Sequence, residues 1–114
     1  MELPKEVEHD LNEFQTAQNQ MQMILMQKQQ IKIQLEEIDD ALEELKNAKG
    51  KIYKSIGSLL IESSLEEVEK ELKERRETMK VRLGVLGKQE EKIRERLVEL
   101  KTKIEKAAGE MGAA

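Results

Sequence analysis

Ile52-Tyr53-Lys54-Ser55-Ile56-Gly57-Ser58-Leu59-Leu60-Ile61 interrupts a chain whose apolar residues otherwise recur at helical spacing. Ile52-Tyr53-Lys54 and Leu59-Leu60-Ile61 are β-branched or apolar triplets, with Gly57 between them. Such a pattern predicts a β-hairpin over residues 51–62, closed by a glycine turn. Both strands are short and carry apolar side chains on both faces. An isolated two-stranded hairpin is marginal in water. These strands therefore need a partner sheet, expected from other subunits. Ile52, Tyr53, Ile56, Leu59, Leu60 and Ile61 are the candidate oligomerisation residues.

Outward from the hairpin the chain mirrors itself. Towards the N-terminus an apolar stripe runs back through Leu45, Leu42, Ile38, Leu35, Ile31, Ile24, Met21, Phe14, Leu11 and Val7. Towards the C-terminus a second runs on through Leu65, Val68, Leu72, Met79, Leu83, Leu86, Ile93, Leu97, Leu100 and Ile104. With Ala17 and Lys28 filling the first stripe, its spacings alternate between three and four, the heptad signature, with one extra three near Phe14–Met21. Leu42 with Leu72, Leu35 with Met79, Ile31 with Leu83, Met21 with Ile93 and Phe14 with Leu100 each add to one constant. An antiparallel helical pair requires that constancy, because facing residues leave the bend in step. The predicted fold is mostly α: a long antiparallel two-helix coiled coil with a short β-hairpin at the bend. One domain, 1–114, holds helix 1 at about 5–48, the hairpin at 51–62, helix 2 at about 64–108 and a frayed tail at 109–114. Pro4 suits the first helical turn. Gly50 is expected as a left-handed cap on helix 1. Ser64 and Glu67 read as a capping box opening helix 2. At about 1.5 Å per residue each helix reaches roughly 65 Å, a long arm.

Composition agrees. Charged residues make up 39% of the 114 and aromatics 2%, the profile of a coiled coil rather than a compact core. Net charge is −4 with both signs interspersed, so no basic face points to nucleic acid. The absence of cysteine excludes disulfides and thiolate sites and fits a reducing, cytoplasmic setting. No apolar run approaches the roughly 18 residues of a membrane span, so no membrane partner is expected, and the N-terminus lacks a signal-peptide layout.

Chemistry finds little purchase. His9, the only histidine, has no convergent partners and reads as an exposed, idle side chain. The carboxylates are spread over helix surfaces, without the pocket that acid–base work needs. Gly84 and Gly87 have no phosphate-loop context; they weaken the helix locally or mark a flex point. No catalytic, metal-ligating or cofactor-binding residue is assigned, and an enzyme is the least favoured class. Lys28, Arg76 and Glu90 occupy seam positions. Lys28 is expected to face Leu86, one layer from Glu90, and Arg76 to face Ile38. Their stems would snorkel across the seam, in preference to fixing its register.

Binding surfaces are more legible. Residues 14–27 carry no charge and include Met21, Met23 and Met26. A two-helix seam buries Met21 and Ile24 but leaves Met23, Leu25 and Met26 for a client or another copy. Val7, Leu11, Phe14, Leu97, Leu100 and Ile104 lie furthest from the bend. If the last turns splay, they form an apolar surface of the kind that marks binding sites.

A helix–hairpin–helix of this length, centred on residues 52–61, resembles the prefoldin family. With one hairpin it is similar to the β-type subunit rather than the two-hairpin α-type, and the Gln-rich first helix around Gln27-Lys28-Gln29 resembles archaeal β-type chains. The resemblance covers essentially the whole chain. It implies a hexamer of two α-type and four β-type subunits, in which hairpins assemble into β-barrels at a platform. Coiled-coil tentacles hang from that platform, and their tips hold unfolded client proteins without ATP and pass them to a group II chaperonin. It implies no cofactor. The chain departs from the family in lacking the usual acidic turn before Ile52 and in placing Gly84 and Gly87 within helix 2. A structural scaffold or tether, assembling through the hairpin, is the alternative reading.

Overall fold

A computed structural model describes residues 4–112. The chain runs α1 (Lys5–Lys46), β1 (Ile52–Ile56), β2 (Leu59–Ser63) and α2 (Leu65–Gly112). Two long helices with an antiparallel hairpin between them are the fold class that the sequence pattern dictates.

Each boundary has a local cause. The Pro4 carbonyl accepts the Glu8 amide at 3.0 Å, the first bond of α1, and Glu6 and Glu8 sit in its first turn against the positive end of the dipole. At its far end α1 stops at Lys46, short of the expected 48. Asn47 and Ala48 donate to the Glu44 and Leu45 carbonyls at 3.2 and 3.3 Å, a tightened last turn. Gly50 is left-handed (φ +89°) but lies beyond that turn, so it steers the chain into β1 rather than capping the helix. The Ser64 hydroxyl accepts the Glu67 amide at 3.1 Å, half of the expected box. The Glu67 carboxylate turns instead to the Ser63 hydroxyl, also at 3.1 Å. The helix α2 runs on to Gly112, through residues expected to fray; half-buried Met111 gives its last turn an apolar footing. Ala113 and Ala114 lie outside the described residues.

The described chain forms two compact units. The first takes residues 4–28, which include the start of α1, and residues 85–112 of α2. Its buried positions are Ala17, Ile24 and Leu100. Its helices run antiparallel, because Glu13 pairs with Arg96 while Lys28 pairs with Glu90. The second unit is residues 29–84: the rest of α1, the hairpin and the start of α2. Ile31 and Ile38 are buried there, with Leu35, Leu42, Leu45, Val68, Leu72, Met79 and Leu83 half-buried. Leu65, expected in the seam, is exposed. In both units the buried side chains lie on the heptad stripe, as expected of cores one seam thick.

Candidate assembly and client-binding surfaces

The hairpin pairs Ile52 with Ser63, Tyr53 with Glu62, Lys54 with Ile61, Ser55 with Leu60 and Ile56 with Leu59. Gly57 and Ser58 form its two-residue loop. Gly57 has φ +59° and Ser58 does not have positive φ, which is the type II′ turn that suits the twist of antiparallel strands. Alternation places Ile52, Lys54, Ile56, Leu59 and Ile61 on one face and Tyr53, Ser55, Leu60 and Glu62 on the other. Of the six candidate oligomerisation residues, Ile52 is half-buried and the other five are exposed, with Leu59 at 64% and Leu60 at 73%. The strand pairing brings all six into one small sheet with apolar side chains open on both faces. The Lys54 ammonium contacts the Glu71 carboxylate at 2.6 Å and so ties β1 to α2. Nothing in the periodicity signals that tie, because in the sequence Lys54 stands simply as the third residue of a strand triplet.

Val7, Leu11, Phe14, Leu97, Leu100 and Ile104 all fall in the first unit. Leu11 is exposed; Val7, Phe14, Leu97 and Ile104 are half-buried; Leu100 is fully buried at 0%. The seam is thus closed at Leu100, the state in which the last turns do not splay. Glu13 helps to close it: its carboxylate pairs with Arg96 across the helices and with His9 (3.1 Å) one turn away. His9 is therefore exposed but not idle.

The polar seam residues also find partners. Lys28 Nζ meets Glu90 Oε2 at 2.8 Å, with side chains only 20% and 12% exposed, and Arg94 joins Glu90 from the same helix. Lys28 thus reaches past the layer of Leu86 to the carboxylate one layer on. In the second unit Arg76 extends to Asp39 at 3.1 Å, the outcome that snorkelling predicts. A groove there is lined by Asp39, Glu43, Lys46, Glu69, Lys73 and Arg76 among others. Its charges pair with one another: Arg76 with Asp39, Lys46 with Glu43 and Lys73 with Glu69. The Lys73 hydrogen bond, and then its charge, hold the Glu69 carboxyl below the usual carboxylate range. Among the described residues no group of His, Cys, Asp or Glu is placed to hold a metal ion, and no helix is long and apolar enough to cross a membrane.

A family described as "Prefoldin subunit" matches residues 8–110 of this chain. The chain belongs to the prefoldin family. Curated prefoldin β subunits match parts of it: that of Methanococcus vannielii is 42% identical over 52 residues (46% of each chain), and that of Pyrococcus horikoshii 44% identical over 50 residues (44% of this chain, 43% of that one). The matches span just under half the length of those relatives. The crystal structure of the prefoldin β subunit from Thermococcus strain KS-1 matches with a TM-score of 0.83 at 34% identity, covering 93% of this chain and 95% of that one. Prefoldin membership accounts for the helix–hairpin–helix order. The closed seam at Leu100, the Lys54–Glu71 tie and the Lys28–Glu90 pair are features of this prefoldin chain's own residues.

Proposed function

We propose that this chain is a subunit of an ATP-independent holdase chaperone. Its hairpin joins α-type prefoldin subunits and further copies of itself, in a hexamer of two α-type and four β-type chains within the cytoplasm. The helix ends hold unfolded client proteins and release them to a group II chaperonin. The observation that carries this reading is the exposure of Tyr53, Ile56, Leu59, Leu60 and Ile61 on a two-stranded sheet. Covering such surface stabilises an assembly by roughly 25 cal/mol per Å² of apolar area, and a hairpin this small needs the cover. Clients are held by the same effect, with several arms acting together to make weak contacts add up.

Val7, Leu11, Phe14, Leu97 and Ile104 are the proposed client contacts accessible in the closed unit. Leu100 joins them only when the seam opens. The test is light scattering from a heat-unfolding protein, without ATP, for the chain alone and after mixing with an α-type subunit. Suppression is expected for unrelated clients and strongest with the partner. Leu60→Asp should lower the assembled mass, and Leu11→Ser with Phe14→Ser should abolish holding while leaving that mass intact. Undiminished holding by the double variant removes the helix-end assignment.

The closed seam at Leu100 favours a second reading, a scaffold that binds one defined partner helix. Failure to suppress aggregation, with assembly verified by mass, decides for it.

A further inference from the structure

We propose that a shallow groove in the first unit docks an acidic amphipathic helical segment of the client, a proposal that rests on the holdase reading above. The groove encloses about 400 Å³. Ile24 and Ile93 contribute its apolar floor, and Met23, 61% exposed, stands over it as a flexible wall. Its rim is made of amides, Gln20 and Gln27 on α1 and Gln89 on α2, with a single charge, Lys92.

Three properties define the occupant. First, the α1 side runs from Gln20 to Gln27, about two helical turns, so it receives a segment with apolar residues at i, i+3 or i+4, and i+7. Second, methionine adapts to side chains of differing shape, which suits varied clients rather than one. Third, the charge is uncompensated. Of the charges beside it on α2, Glu90 pairs with Lys28 and Arg94, and Arg96 with Glu13 and Glu99, while Glu91 and Glu95 do not line the groove. Among the described residues no carboxylate pairs with Lys92. With α1 uncharged along the groove, Lys92 is the one charge on its lining, and an Asp or Glu beside the apolar stripe of the occupant matches it. A segment with lysines in that place meets like charge and no relief.

The test uses the full-length chain and two labelled synthetic peptides. Both carry leucines at i, i+3, i+4 and i+7; one is flanked by glutamates and the other by lysines. Fluorescence anisotropy should show the glutamate peptide binding roughly threefold tighter, the scale of a rim ion pair. Lys92→Glu should reverse the preference, and Met23→Gln should weaken both peptides by about tenfold. Both positions are exposed, and far-UV dichroism checks that the variants stay folded. Equal affinities unmoved by Lys92→Glu overturn the proposal. So do amide shifts that fall outside residues 20–27 and 89–93. A dimer that Met23→Gln dissolves, with no peptide bound, gives the groove to a second copy. Aggregation suppression measured in parallel separates the two readings. Holding without groove binding removes the groove and leaves the holdase. Groove binding without holding removes the client as occupant.

Discussion

Leu100 and Leu60 are the same residue type under opposite conditions, one fully buried and the other 73% exposed. Truncation should separate them. Leu100→Ala removes buried methyl groups from a seam one residue thick and is expected to cost about 2–5 kcal/mol by denaturant unfolding. Leu60→Ser in the unassembled chain should change stability by less than about 0.5 kcal/mol, because it gives up no burial. The Lys28–Glu90 pair behaves differently again. Two charges with little exposure gain from each other but lose water. Lys28→Met alone should cost roughly 1–3 kcal/mol, while K28M with E90L should match or exceed the parent in thermal unfolding. Sequence alone located these residues on the seam but not their pairing. Heptad arithmetic assigns layers, and a lysine stem is long enough to leave its own layer for the next.

At the scale of the element, the hairpin was the most legible part. Its apolar triplets and one glycine specify strands and turn, and the structure supplies both, with Gly57 at φ +59°. Gly57→Ala retains the space but not the backbone freedom, and is expected to destabilise the hairpin by about 1 kcal/mol. Helix ends were less legible. Gly50 attracts the cap by composition, yet α1 closes earlier through the Asn47 and Ala48 amides. Helix α2 persists through Gly109 because burial near Met111 outweighs propensity. Gly84 and Gly87 are helical with open space around each Cβ position, so no packing requires glycine there. Gly84→Ala and Gly87→Ala should each stabilise the helix by about 1 kcal/mol, read as a higher midpoint in dichroism at 222 nm.

For the whole molecule, the exposure of the candidate binding surfaces was only half legible. Exposure of the hairpin follows from its sequence, since apolar residues on both faces of a two-stranded sheet exceed what one chain can cover. Closure at Leu100 does not follow, because the same heptad pattern describes a sealed seam and an open one. Which state prevails depends on pairs such as Glu13 with Arg96 that periodicity does not reveal. The chain also has no tryptophan and one tyrosine, and that tyrosine, Tyr53, stands exposed on the hairpin. With excitation to the red of the Phe14 absorption band, its emission comes from the hairpin alone, against a dark background from both helices. Assembly can be followed as a change in that one fluorophore, in the native chain, with no label attached.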